Sequence, residues 1–313
     1  MKYIGKKTVT AFFTLLIVSI LVFFSFGMIP GDPALSKLGT QATPERLAAL
    51  RAQMGLDKPL FIRYLDWIAG ALHGDFGTSY SYNMPVREMI ADKIPVTLCL
   101  MFFSFFIMVV LTIVIGIYTA RHRGSLIDRG ITILNQIIMS IPPFFSGILI
   151  TFFFGILLRV FTPGGYVSYK SNFAGFLGYL FFPSLSIALP KTAMAVKLLR
   201  SSLLEEGKKD YVRTAYSRGN TTKDVFYRHI LKNASIPVIT FFGMALADMI
   251  AGSIVIEQVF SVPGLGRILL TSIQNRDYPV VEAIILCIAF LVIVINLIVD
   301  LIYRRIDPRI TLE

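Results

Sequence analysis

The sequence predicts an all-α, polytopic membrane protein with six transmembrane helices and a helical segment outside the bilayer between the first two. Three observations predict it. The 313 residues are 55% hydrophobic, with a mean hydropathy of +0.70, too apolar for a soluble domain of this length. Several stretches approach or exceed the roughly 20 apolar residues that cross hydrocarbon. Lysine and arginine gather in alternate connections between those stretches, the asymmetry that sets topology.

Residues 9–29 form the first expected span, uncharged and preceded by Lys2, Lys6 and Lys7. The run is too long for the apolar core of a secretory signal and no small-residue cleavage site follows, so it reads as a retained helix. Residues 30–94 form an outer segment whose charges balance. Within it Thr43 can cap a helix, Pro44 suits its first turn, Leu47, Leu50 and Met54 line one face, and Gly55 can end it. Residues 60–72 form a second amphipathic candidate through Phe61, Tyr64, Leu65, Trp67 and Ile68.

Residues 96–120 and 131–158 are uncharged and give spans two and three. Span four, 177–199, carries Pro183, Pro190, Lys191 and Lys197. Pro142–Pro143, Pro183 and Pro190 are expected to kink or break their helices and to leave carbonyls that need new partners. Span five, 236–260, carries Asp248 and Glu257, and span six, 283–303, carries Asp300. Lys191, Asp248 and Glu257 are the polar groups expected at membrane depth, where such groups mark a path, a pair or a snorkelling side chain.

The connection over residues 200–235 is the most basic. It reads as helix, turn, helix: Tyr211, Thr214, Ala215 and Arg218 recur at helical spacing, and Gly219-Asn220 stops the first helix. Thr221 restarts it with Asp224 three residues on, before Pro237 leads into span five. By itself, a basic helix lying on lipid explains such a stretch. Positive-inside counting makes this connection and both termini cytoplasmic.

The net charge of +11 follows the membrane topology, which argues against a nucleic-acid partner. No G-x-x-x-x-G-K-[ST] occurs, so no P-loop ATP site is expected in this chain. His73, His122 and His229 lie outside the spans, and no His-Glu-x-x-His or Cys/His cluster exists. Neither a metal site nor an enzyme is expected. Cys99 and Cys287, both inside spans, read as small apolar side chains rather than a disulfide framework.

Six short stretches carry a resemblance. "IPGDP" (29–33) follows span one and "HGDFGTS" (73–79) sits late in the outer segment. "DYVRTA" (210–215) opens the basic connection, and "FSVPGLGR" (260–267) follows span five. "NRDYPVV" (275–281) precedes span six and "DPRI" (307–310) lies near the carboxyl end. In this order and at these positions the chain resembles permease subunits of ATP-binding-cassette importers, in the dipeptide, oligopeptide and nickel branch. The EAA-type loop of that family is matched by Arg213-Thr214-Ala215 at the triplet, Gly219 at the glycine and Leu231 at the late leucine. His229 and Lys232 replace the isoleucine and proline, and Val262 stands where the branch commonly has tryptophan.

The resemblance implies a type I importer permease fold. Residues 1–29 are then the amino-terminal end and first helix, 30–94 the extracytoplasmic helical segment, 95–303 the transmembrane core with a coupling loop near 200–235, and 304–313 a cytoplasmic tail. It implies that Arg213, Thr214, Ala215, Tyr216, Arg218, Gly219 and Asn220 form a coupling helix docking on an ATPase. The implied partners are a second homologous permease, two ATPase subunits or domains that hold ATP and magnesium, an extracytoplasmic solute-binding protein and membrane lipid. The implied setting is a bacterial inner or plasma membrane. Di- or oligopeptide is the expected solute, with nickel or a metal chelate the alternative. A secondary transporter is the rival of another class, and would need an ion relay in which Lys191, Asp248 and Glu257 are the candidates.

Overall fold

A computed structural model describes residues 2–39 and 42–306. The "DPRI" motif and the tail beyond residue 306 lie outside the described residues. In chain order the α-helices are α1 (Lys2–Gly27), α2 (Pro33–Leu38), α3 (Pro44–Gln53), α4 (Leu60–Leu72), α5 (Val86–Ala91), α6 (Ile94–Arg121), α7 (Leu126–Met139), α8 (Pro143–Ile150), α9 (Phe173–Glu206), α10 (Asp210–Ser217), α11 (Thr222–Asp224), α12 (Leu231–Val259), α13 (Leu265–Gln274) and α14 (Tyr278–Ile306). π-helical turns extend α8 over Thr151–Leu157 and join α11 to α12 over Val225–Ile230. A lone bridge between Thr78 and Pro85 is the only extended pairing among the described residues. Among the described residues five helices are long and apolar enough to cross a membrane, and the bent pair of α7 and the extended α8 makes six where it counts as one span.

Two compact units make up the chain: Met1–Thr97 with Pro263–Val294, and Leu98–Val262 with Ile295–Glu313.

In the first unit, Thr43 caps α3 as expected, its side chain accepting from Arg46 N, and Pro44 occupies the first turn. Leu47, Leu50 and Met54 are half-buried. α4 covers residues 60–72 but hides only part of its apolar face. Tyr64 is buried, with its hydroxyl 2.9 Å from Ser19 Oγ on α1, whereas Phe61 and Leu65 stay exposed. Three of the sequence motifs meet here. Asp32 of "IPGDP" caps α2 through Ala34 N at 2.9 Å and pairs with Arg51 at 2.6 Å. Gly31 has φ +125°, and a Cβ there would sit 1.5 Å from Arg276 Nη1, which donates to Pro30 O at 3.0 Å. Only glycine leaves room for that guanidinium. Asp277 of "NRDYPVV" is wholly enclosed. It accepts from the Ser79 hydroxyl, from Tyr80 N at 2.8 Å and from Ser81 N at 3.2 Å, tying down the loop after "HGDFGT".

In the second unit, α9 packs against α7, α8 and α12. One expectation about proline holds and two are corrected. Residues 131–158 break at Pro142–Pro143, as expected. α7 and the extended α8 meet at 109°, because Pro142 is extended (ψ 146°) and Pro143 starts a fresh helix at its first position. Pro183 and Pro190, by contrast, lie inside an unbroken α9. Pro190 has no N–H for Ser186 O, four residues back, and the Ser146 hydroxyl of α8 donates to that carbonyl at 2.9 Å instead. Pro237 likewise sits inside α12 rather than ahead of it, and the helical run from Thr222 reaches Val259. Cys99 and Cys287 are free and half-buried.

Candidate functional site

The basic connection is built from an apolar base and a charged face. α9 ends at Glu206, and α10 is only eight residues long, too short to be stable alone. Val212 and Ala215, three apart, point inward on one face. They join Leu199 and Leu203 of α9, Val225 and Ile230 of the following turns, and Ala234 and Val238 of α12 in one apolar cluster. The other face is exposed: Arg213, Thr214, Tyr216, Ser217 and Arg218. Tyr216, 44% exposed, is an aromatic ring left without cover in this chain.

Gly219 ends α10 at φ +82°, and Asn220 Nδ2 donates to Ala215 O at 3.0 Å, closing the turn. A Cβ at Gly219 meets nothing within 4 Å, so the demand for glycine is torsional, not steric. Thr221 Oγ1 accepts from Asp224 N at 3.2 Å and donates to Asp224 Oδ2 at 2.6 Å, the reciprocal cap that starts the next helix.

Polar contacts fasten the loop to the helices on either side of it. Glu206 accepts from the Tyr211 hydroxyl at 2.6 Å and from Lys209 Nζ, and Asn233 Nδ2 donates to Tyr211 Oη at 3.2 Å. Tyr211 thus bridges the end of α9 and the start of α12. Burial, then the Glu206 carboxylate, raises its phenol above the ordinary tyrosine value. The hydrogen bond to Glu206 raises the Lys209 ammonium likewise. Deeper, Arg200 of α9 grips Asp128 of α7 with two bonds of 2.8 Å, and Gly124 N adds a third at 2.9 Å. Asp128 is 3% exposed. Arg121 lies 5.7 Å over the Phe226 ring.

The sequence singled out Lys191, Asp248 and Glu257, and the structure brings two of them together. Lys191 Nζ donates to Asp248 Oδ2 at 2.7 Å, joining α9 to α12. The Asp248 side chain is 64% exposed in the isolated chain and that of Lys191 25%. Glu257 is wholly enclosed and lies nine residues further along α12 than Asp248, about 13 Å at 1.5 Å per residue. No group of three metal-ligating side chains occurs among the described residues.

Sequence reading passed over Glu206, Tyr211 and Asn233 as fasteners, and Asp128, Arg200 and Asp277 as anchors. Charge alone could have flagged Asp128, an acid at the start of an otherwise apolar run. Nothing local marks Asn233, and Asp277 stands out only within "NRDYPVV"; their partners lie 22 and about 200 residues away in sequence.

Residues 112–312 match the family model described as binding-protein-dependent transport system inner membrane component, and residues 1–101 match its amino-terminal companion. A probable peptide ABC transporter permease protein of Sinorhizobium fredii is 33% identical over 308 residues, 98% of both chains. A putative peptide transport system permease protein of Brucella abortus is 36% identical over 305 residues, 97% of both. An oligopeptide transport system permease protein of Bacillus subtilis is 35% identical over 311 residues, 98% of both.

Proposed function

We infer the function from one premise: the chain belongs to the family of binding-protein-dependent transport system inner membrane components. It is a multi-pass permease subunit of an ABC importer, a transport protein that works with ATPases and a binding protein.

Within that role, the finer reading is ours. This chain forms half of a translocation path with a second, homologous permease. Both termini and the 200–235 connection face the cytoplasm. Two ATPase subunits bind and hydrolyse ATP with magnesium, and this chain carries out no hydrolysis and binds no cofactor of its own. The solute is a di- or oligopeptide, in keeping with what the names of the relatives say of those proteins, and is delivered from outside by the binding protein.

The observation that carries the reading is the two-faced α10. Val212 and Ala215 tie it to α9 and α12, while Arg213, Thr214, Tyr216 and Arg218 are left outside. A surface basic helix merely resting on lipid would put its apolar face on the lipid; here that face is turned into the protein. The exposed face is then the ATPase contact, and a push on it reaches α9 and α12 through a packed base. Closure of the ATPases on ATP moves α10, opens the path outward for the docked binding protein, and hydrolysis returns it inward. Each ligand must favour a different state for this coupling to operate. The exposure of the Asp248 side chain supports a reading in which Lys191 and Asp248 face that path or the second permease, since an exposed carboxylate in a membrane span needs water or a partner chain.

Cysteine at Tyr216 should cross-link to the ATPase in the assembled importer, and the cross-link should change in yield when ATP binds. No cross-link from either Tyr216→Cys or Ser217→Cys would overturn the docking. Uptake of a labelled dipeptide, competed by unlabelled peptide and not by nickel, and abolished without the ATPases, should identify the solute class. Uptake that persists without them would mark a secondary transporter. Lys191→Met and Asp248→Asn should each reduce uptake, with partial recovery in the double variant; strictly additive losses would rule out that the pair acts as a unit.

A further inference from the structure

The first compact unit holds an open cavity of about 350 Å³, within the roughly 300–1,000 Å³ usual for small-molecule sites. Its walls come from α1, the end of α3 and the turn after it, α4, the loop after α4 and the start of α14. Glu282, on α14, lines it and is 6% exposed. Among the described residues no hydrogen bond or close ion pair reaches this carboxyl, and the charge that acts on it is Arg63. A carboxyl withdrawn from water is costly as a charge unless a cation pairs with it, so a ligand's ammonium would be the partner it lacks.

Arg63 lines the same cavity. Its guanidinium lies 5.9 Å over the Phe23 ring and acts electrostatically on Tyr80. A guanidinium has five N–H donors, so the ring contact orients it and leaves donors for a ligand. The other charges are paired or lie open to solvent, as Asp75 does. Lys58 and Asp66 pair with each other at 2.7 Å, and Asp75 accepts from Gly77 N at 2.9 Å. What remains is one carboxyl and one guanidinium in a cavity walled by the rings of Phe23, Trp67 and Tyr80. Aromatic faces favour a cation, and a guanidinium suits a planar carboxylate.

We propose that this cavity binds a small zwitterion, a free amino acid or short peptide, with its ammonium on Glu282 and its carboxylate on Arg63. The site does not depend on which solute the importer carries. A ligand bearing one charge would complete only half of it. A neutral ligand would leave both groups as they stand.

Trp67 is the only tryptophan of the chain and lines the cavity, so it reports occupancy directly. The full-length chain in lipid nanodiscs should be titrated with alanyl-alanine, its N-acetyl form and its carboxamide, followed by Trp67 fluorescence and by calorimetry. The free dipeptide should give a saturable change, and each blocked form should bind at least about tenfold more weakly, roughly 1.4 kcal/mol. Glu282→Gln should weaken the free dipeptide by a similar factor and leave the N-acetyl form unchanged. Arg63→Met should do the converse, leaving the carboxamide unchanged. Equal binding of all three ligands to the unaltered chain would overturn the proposal, and so would silence in both readouts into the millimolar range. These comparisons need no variant, so misfolding of Glu282→Gln or Arg63→Met would not shield the idea.

Discussion

Two anchors in this molecule hold a loop by opposite means. The Asp277 anchor turns its charge inward: one enclosed carboxylate accepts from Ser79, Tyr80 N and Ser81 N, and nothing of it is offered outside. The foot of α10 turns its apolar residues inward. Val212 and Ala215 enter the cluster, Tyr211 ties Glu206 to Asn233, and the basic face stays out. A loop that spends its polar groups on itself is a scaffold. A loop that spends its apolar groups on its own base and keeps charge outside is built to meet a partner. The rigidity of that base decides whether a force applied outside arrives at α9 and α12.

The largest expected effect breaks the ground beneath the foot. Asp128→Asn leaves the Arg200 guanidinium half-buried without its carboxylate. Breaking such a pair costs about 3–5 kcal/mol when both partners are buried, and Arg200, 26% exposed, should bring this near the lower figure. The melting temperature of the purified importer should drop, and α9 amides near Arg200 should exchange faster. A loss below about 1 kcal/mol would make the pair an ordinary surface contact.

Asp277→Asn tests the other anchor. The amide keeps one acceptor and loses the charge, so the loop should lose about 1.5–3 kcal/mol, the worth of a charged hydrogen bond. Faster amide exchange should appear around residues 79–82, while solute-stimulated ATPase per assembled complex stays normal. If stimulation fell as far as it does for variants of the foot, the division between scaffold and transmitter would collapse.

Gly219→Val acts on the transmitter alone. The Cβ has open space but the backbone sits at φ +82°, so the strain is about 1–2 kcal/mol for a branched residue. Assembly should survive and solute-stimulated ATPase should fall. Normal stimulation in that variant would remove the turn from the coupling machinery.

How much of this was legible in the sequence follows from the range of each interaction. The spans, the caps at Thr43 and Thr221 and the stop at Gly219 depend on neighbours within four residues, so composition and spacing carry them. The bend at Pro142–Pro143 was half legible: two prolines announce a disturbance, but whether a helix bends or passes through depends on neighbouring chain. At Pro190 the Ser146 hydroxyl, from another helix, supplies the donor that Ser186 O lacks. The motif residues were legible as a resemblance and opaque as physics. Nothing in "IPGDP" says that Gly31 clears a path for Arg276. Lys191 and Asp248 could be matched by depth alone, since a lone charge in hydrocarbon seeks the nearest opposite one.

The smallest effect asks which part of the foot transmits. Tyr211→Phe keeps the ring in place and removes only the hydroxyl that joins Glu206 to Asn233. Asn233 is exposed and can turn to water, and Glu206 keeps Lys209. Neither group is stranded, so the loss should be about 0.5–1 kcal/mol, the net value of one exchanged hydrogen bond. Stability will hardly register it. The ratio of peptide moved to ATP hydrolysed should, because the hydroxyl is the polar link between the helix before the loop and the helix after it. A lowered ratio in Tyr211→Phe, with α10 cross-linking to the ATPase as before, would place transmission in this bridge. An unchanged ratio would assign it to the apolar cluster around Val212 and Ala215, and Val212→Ala should then lower the ratio where Tyr211→Phe did not.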